Sequence, residues 1–248
     1  MKLLFLSVLL PIAALALAAI WLAKKQQQAF AQREAQWRAA AEAKGWAFDC
    51  ETEGAFQLMR WRGTTSGVAW TLEYRRGRHR SGGASQRAQR TRWWAQAFQG
   101  PSTPVLCIAM NKGQEQPALQ FAQGESTLAT LARKAAGAAL DKTLDIYFGQ
   151  QAGREVDARR LKPLQGATQT GYLVLAEDPV AATRWLQDGP GAQLETAVNA
   201  PGNALHADKG RPWVLWVGRQ VLLANMRPVT NIDDVTRLVD AGVALTNA

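Results

Sequence analysis

Seven arginines are concentrated between positions 75 and 92, and they are the strongest candidate for chemistry in this sequence. They are Arg75, Arg76, Arg78, Arg80, Arg87, Arg90 and Arg92, and no acidic residue lies among them. Removing these seven from the net charge of +9 leaves +2, so the basic character of the chain is local. Guanidinium groups are planar, charged donors that suit carboxylates and phosphates. We therefore predict an anion-binding loop formed by these arginines.

The partner of this loop is expected to be anionic. Glycine and serine between the arginines predict an exposed segment that does not pack into a core. An acidic protein or anionic lipid headgroups would suit it. Nucleic acid is disfavoured, because Trp93 and Trp94 follow the loop without a recognised nucleic-acid motif. A solvated loop without a partner is the simplest alternative, since charge runs usually form solvated surfaces.

The sequence contains no recognisable catalytic or metal site. Of the two histidines, His79 lies among arginines that repel a cation, and His206 has only Asp208 nearby. Nucleophile-elbow, phosphate-loop and dinucleotide-binding motifs are absent from the sequence. We therefore predict a non-enzymatic binding or scaffolding module without a cofactor. An enzyme whose site is assembled from distant residues is the alternative.

Two cysteines, Cys50 and Cys107, are too few for a disulfide framework and lack the spacing of a zinc or redox motif. Cys107 lies in an apolar run and is predicted to be a small core residue. Both thiols would be reduced in the cytoplasm, whereas export would allow a bridge between them.

The N-terminus carries an apolar run from Leu3 to Ala23, followed by Lys24 and Lys25. At ~1.5 Å per residue, this run would extend about 31 Å as a helix, which matches the ~30 Å core of a bilayer. The sequence therefore predicts a single transmembrane helix over residues 1–23. Trp21, Lys24 and Lys25 would mark the membrane boundary.

A cleaved signal peptide is the alternative for this segment, with Ala16-Leu17-Ala18 as the cleavage site and Ala19 near the mature N-terminus. The apolar run continues through that site, which favours an anchor. Basic residues are more numerous after the run than before it, so we expect the bulk of the chain on the cytoplasmic side of a bacterial inner membrane. Cleavage would instead release a periplasmic or secreted domain.

The rest of the chain is long enough for a hydrophobic core. Residues 24–45 predict a juxtamembrane spacer helix, because they lack proline and glycine until Gly45. Residues 46–148 predict an antiparallel sheet with a helix. The predicted elements of this segment are a meander of strands at 56–62, 68–75, 92–98 and 105–110, and a helix at 127–140.

Residues 149–169 predict a connection, and residues 170–248 predict a second α+β block that is either separate or part of the same domain as 46–148. The second block contains a predicted strand at 172–176, helices capped by Asp178 and Asn231, a helix at 192–199 and a hairpin of strands 213–217 and 220–226. Strands are grouped rather than alternating with helices. The predicted fold class is therefore α+β, with antiparallel sheet groups covered by helices.

Overall fold

A computed structural model describes most of the chain beyond residue 30. The described residues are 21, 24–25, 28, 31–54, 56–77, 89–96, 100–109, 127–149, 155–164, 172–189, 194, 212–226 and 228–247. Every structural statement below concerns these residues.

Nine described strands form one antiparallel sheet. They are β1 (Ala47–Glu53), β2 (Phe56–Thr65), β3 (Val68–Gly77), β4 (Arg90–Gln96), β5 (Val105–Ala109), β6 (Lys162–Pro163), β7 (Tyr172–Ala176), β8 (Trp213–Val217) and β9 (Gln220–Asn225). Their order across the sheet is β1-β2-β3-β4-β9-β8-β5-β7-β6, and every pairing is antiparallel. The sheet therefore combines strands from residues 46–148 and from residues 170–248, and its edge strand β6 comes from the segment 149–169 that was predicted as a connection.

Four helices accompany the sheet in the described part of the chain. They are α1 (residues 31–42), α2 (Thr127–Phe148), α3 (Pro179–Gln187) and α4 (Ile232–Thr246). Asp178 caps α3 by accepting hydrogen bonds from two backbone N–H groups of its first turn, each at 3.0 Å. Asn231 and Asp234 form a reciprocal capping box at α4. Both predicted caps are confirmed.

The register of β2 and β3 is set by a two-residue turn. Ser66 and Gly67 have φ values of 51° and 80°, the geometry of a type I′ turn, whose twist matches that of the flanking strands. Thr65 and Val68 are therefore directly opposite, and the pairing continues without a break to Phe56 opposite Gly77.

One face of the sheet, here called the core face, carries the larger hydrophobic core. Trp61, Leu72 and Trp93 are completely buried there. Residues of α1, α3 and α4 belong to the same cluster. The opposite face, here called the α2 face, has a smaller apolar cluster in which Leu144 and Phe148 of α2 pack against strand residues. The α2 face of β2, β3 and β4 carries charged side chains.

The α+β prediction with antiparallel strands and covering helices is confirmed. The predicted meander is wrong at its fourth strand, because the β8–β9 hairpin lies between β4 and β5. A strand at residues 47–53 was not predicted, since its acidic sequence has low strand propensity. The predicted helix at 192–199 lies outside the described residues except for residue 194.

The helix predicted as a spacer is packed against the sheet. Residues 21, 24, 25 and 28 are also helical, and Gly45 follows α1 with φ of 71°. Trp37 of α1 contacts Trp61 edge to face, with ring centroids 5.3 Å apart, and Ala41 is fully buried. Helix α1 therefore packs against the hydrophobic core and does not extend away from the sheet.

The predicted transmembrane helix is corrected by the structure. Among the described residues, no helix combines the length and the apolar composition needed to cross a membrane. The described helices α3 and α4 are instead amphipathic and bury one side against the sheet. Of the span predicted at 1–23, only residue 21 is described, and the alternative cleavage site also lies outside the described residues.

Candidate anion-binding site

Four of the seven predicted arginines are described, and all four lie on strands, as the predicted strands 68–75 and 92–98 required for Arg75 and Arg92 but not for Arg76 and Arg90. Arg75 and Arg76 belong to β3, and Arg90 and Arg92 belong to β4. The loop boundaries were therefore wrong, because pairing between β2, β3 and β4 continues through these positions. The other three arginines, Arg78, Arg80 and Arg87, lie outside the described residues.

A buried carboxylate lies between two arginines on the α2 face. Glu73 is directly opposite Arg60 on β2 and Arg92 on β4, so the three side chains project from the same face in one row. Arg60 Nη2 donates to Glu73 Oε2 at 3.3 Å, and Arg92 Nη2 donates to Glu73 Oε1. The side chain of Glu73 is only 8% exposed. The row is therefore a largely desolvated ion-pair network.

The electrostatics of this row keep Glu73 ionised. Burial alone raises the pKa of Glu73, but the charge and hydrogen bonds of Arg92, together with those of Arg60, outweigh burial and leave the pKa below its ordinary value of 4.5. A carboxylate in this position is thus charged throughout the neutral range.

Two arginines of β4 also bind the C-terminal end of α2. Arg90 Nη1 donates to the carbonyl oxygen of Ile146, and Arg92 Nη1 donates to that of Phe148, each at 3.2 Å. The last turn of α2 contains no basic residue of its own. Strand β4 therefore supplies the positive charge that favourably opposes the negative end of the helix dipole.

The next row along the same strands lacks a carboxylate. Arg75 and Arg90 are directly opposite each other, an arrangement that destabilises a sheet when both side chains carry the same charge. Within the described part of the chain, neither residue forms a salt bridge. The buried Nε atoms of both arginines have no hydrogen-bond partner there.

Both arginines of this row are held in place. The guanidinium of Arg75 lies over the ring of Phe56, 4.0 Å from its centroid, and Arg90 is fixed by Ile146. Burial, and then the charges on Arg92 and Arg75, lower the pKa of Arg90 to about 10, and the weaker opposing effects of the Glu73 and Glu53 carboxylates only partly offset them. Arg90 is still charged at neutral pH, so Arg75 and Arg90 present two positive, partly desolvated forks. We call these two residues the arginine pair.

Arg76 does not belong to this site. Its side chain is on the core face, and its Nε donates to Gln57 Oε1 at 3.0 Å. Sequence reasoning thus included one arginine from the wrong face of β3 and missed Arg60, Glu73 and Phe56. The signal for the missed residues was available, because a two-residue turn at 66–67 places Arg60 opposite Glu73.

The remaining predicted site residues lie elsewhere or outside the described residues. Trp21 is exposed, and Lys25 Nζ lies 5.0 Å from the centroid of its ring. His79 and His206 are not described. Within the described ranges, no group of three or more His, Cys, Asp or Glu side chains could hold a metal ion.

Cys50 and Cys107 are both free thiols. They lie on β1 and β5, which are separated by six strand spacings, roughly 29 Å in all. A disulfide requires Cα atoms within about 7 Å of each other. A bridge between these cysteines is therefore incompatible with the fold.

Comparison with protein-family models, with curated proteins and with solved structures found no match to this chain.

Proposed function

We propose that this protein is a non-enzymatic binding module that docks an acidic segment of a protein partner on Arg75 and Arg90. The observation that supports it is the difference between two neighbouring rows of the same strands. One row contains Arg60, Glu73 and Arg92, in which a carboxylate joins the two arginines. On the same three strands, the other row contains Leu58 and the arginine pair without a carboxylate between them, and its acidic residue, Glu51, lies beyond Leu58 on β1.

The contacts within the row of Arg60, Glu73 and Arg92 indicate the geometry in which a partner's carboxylate would bind. Glu73 accepts hydrogen bonds from guanidinium groups on the strands to either side of it. A carboxylate from a partner would do the same for the arginine pair, because its two oxygens match the planar donors of arginine. It would also remove the repulsion between two like charges on adjacent strands.

The environment of the arginine pair favours affinity. Arg75 is stacked on Phe56 and Arg90 is bound to Ile146, so both side chains have already lost much of their conformational freedom before a partner arrives. Preorganised groups lose less entropy on binding than mobile ones. The partial burial of both guanidiniums also strengthens their attraction to an anion, because the local dielectric is lower than that of water.

Binding of a fluorescein-labelled oligoglutamate peptide to the full chain tests this proposal. The double substitution Arg75→Gln with Arg90→Gln should weaken binding at least about tenfold, because it removes two charge-assisted contacts. The matched control replaces exposed Arg33 and Arg62 with Gln, which removes the same net charge and should leave the Kd close to that of the wild type.

Two results would contradict the proposal. One is an equal loss of affinity in both double variants, which would mean that net charge rather than the arginine pair attracts the peptide. The other is the absence of peptide binding together with binding to phosphatidylserine vesicles, which would identify lipid headgroups as the anionic partner instead.

A further inference from the structure

The two edges of the sheet differ in how they are protected against pairing with another strand. β6, at one edge, has two residues and includes Pro163, and both features discourage strand addition. β1, at the other edge, has seven residues and contains neither proline nor a basic residue. In the described part of the chain, no strand pairs with the outer side of β1.

The turn between β1 and β2 determines which backbone groups of β1 point outward. Glu53 and Phe56 are directly opposite on either side of a two-residue turn, and such residues form a hydrogen-bonded pair. Since hydrogen-bonded positions alternate along a strand, the N–H and C=O groups of Phe48, Cys50 and Thr52 face away from β2.

A side-chain contact supports this direction. Arg38 Nη1 donates to the carbonyl oxygen of Phe48 at 3.3 Å. At the end of β1 next to α1, this outward-facing carbonyl is therefore already hydrogen-bonded. The outward backbone groups of Cys50 and Thr52 lie beyond that contact. Thr52 is exposed and Cys50 is half-buried, so this part of the edge is open within the described structure.

The open part of the edge is acidic. Asp49, Glu51 and Glu53 alternate along the α2 face of β1, and the last two are exposed. None of the three forms a salt bridge within the described residues. An added strand would place its own side chains directly opposite these carboxylates. Opposite charges at such positions are favourable, and like charges are unfavourable.

We propose that β1 is a docking edge for an extended basic segment of a partner protein, which adds to the sheet as a further strand with Lys or Arg opposite Glu51 and Glu53. A second copy of β1 does not fit this edge. Two-fold antiparallel pairings centred at any residue from 49 to 53 would place acidic residues of one chain opposite acidic residues of the other. The site shares the α2 face with the arginine pair, since Glu51 lies in the same cross-strand row as Arg75 and Arg90, but it takes a partner of the opposite charge.

Three labelled peptides of seven residues, the length of β1, provide the test. The first has arginine at alternate positions, the second is identical but N-methylated on the amides of one edge, and the third has glutamate in place of arginine. The full chain should bind the first peptide and should bind the N-methylated one at least about tenfold more weakly, since backbone hydrogen bonds supply much of the affinity in strand addition. The acidic peptide should not bind.

The protein variants test the position of the site. Glu51→Gln with Glu53→Gln should weaken binding of the basic peptide by about threefold or more, whereas the control Glu155→Gln with Asp188→Asn, at exposed positions outside α1 and β1, should not. Equal binding of the N-methylated peptide, equal loss in both variants, or no binding at millimolar peptide would overturn the proposal. Self-association of the chain that Glu51→Lys abolishes would also overturn the proposal, because the occupant of the edge would then be a second copy.

Discussion

Arg75 and Arg90 are directly opposite each other on β3 and β4, although both carry a positive charge. In the adjacent row, Glu73 separates two other arginines and neutralises part of their charge. Like charges at opposite positions destabilise a sheet, whereas the hydrogen bond from Arg90 to the C-terminal end of α2 stabilises the fold.

Glu73→Gln should lower the free energy of unfolding by about 3 kcal/mol, because it leaves Arg60 and Arg92 partly buried without a counter-charge. Urea denaturation monitored by tryptophan fluorescence measures this difference. The control Glu42→Gln, at an exposed position of α1, should change stability by less than about 0.5 kcal/mol. If Glu73→Gln also lowered the free energy of unfolding by less than about 0.5 kcal/mol, the row of Arg60, Glu73 and Arg92 would contribute little to stability.

Stability should fall on acidification, partly through Glu73. The pKa of its carboxyl is lower in the folded protein than its ordinary value of 4.5, so the unfolded state binds the proton more readily. Its contribution is therefore complete at neutral pH and is lost as the pH falls from about 4.5 through the folded pKa. The measurement is the free energy of unfolding from pH 7 to pH 3.

Glu73→Gln should flatten this acid dependence without removing it. The pKa of Asp234 is also lowered, because hydrogen bonds from Thr230, Asn231 and Arg237 outweigh the effect of burial. A pH dependence identical to that of the wild type would mean that Glu73 has no altered pKa in the folded state.

Gly242→Ala should destabilise the protein by about 1–3 kcal/mol, despite the higher helix propensity of alanine. A methyl carbon at Gly242 would lie 2.5 Å from three ring atoms of Trp93, and Trp93 is completely buried. Thermal unfolding of Gly242→Ala beside Asp240→Ala, at an exposed neighbouring position of α4, measures the effect. A Gly242→Ala protein as stable as the wild type would contradict this close contact between α4 and the sheet.

The two thiols should differ in their reaction with iodoacetamide. Burial, followed by the nearby charge of Glu34, raises the pKa of Cys50 to about 11, and burial raises the pKa of Cys107 as well. Cys50 should react slowly at pH 7 and faster as the pH approaches 11, because the thiolate is the nucleophile. Cys107, which is fully buried, should react only in denaturant. Mass spectrometry of the labelled native protein distinguishes the two sites.

Local patterns in the sequence were sufficient to predict much of the fold. Alternation of apolar residues predicted β2 and β3, and the capping residues Asp178 and Asn231 predicted the starts of two helices. These features depend on neighbouring residues, so a single sequence contains the signal. The insertion of β8 and β9 between β4 and β5 depends on contacts between distant segments, and no local pattern specifies it.

The candidate site was predicted by residue type but not by geometry. The predicted strands ended at Arg75 and began again at Arg92, whereas the observed strands extend to Gly77 and begin at Arg90, so the pairing of Arg75 with Arg90 was not predicted. The glycines that follow Gly77 in the sequence favoured a loop, so the continuation of β3 to Gly77 was not predicted. Burial of Glu73 between two arginines also depends on the register of three strands, which composition alone cannot show.

Arginine side-chain N–H signals in ¹⁵N–¹H NMR spectra report directly on binding at the arginine pair. During titration with an oligoglutamate peptide, the Nε–H signals of Arg75 and Arg90 should shift together and saturate, because a carboxylate that binds both guanidinium groups changes the environment of each Nε–H. The signal of Arg60, which is already paired with Glu73, should move little. Unchanged signals from Arg75 and Arg90 while other arginines shift would contradict the proposed function.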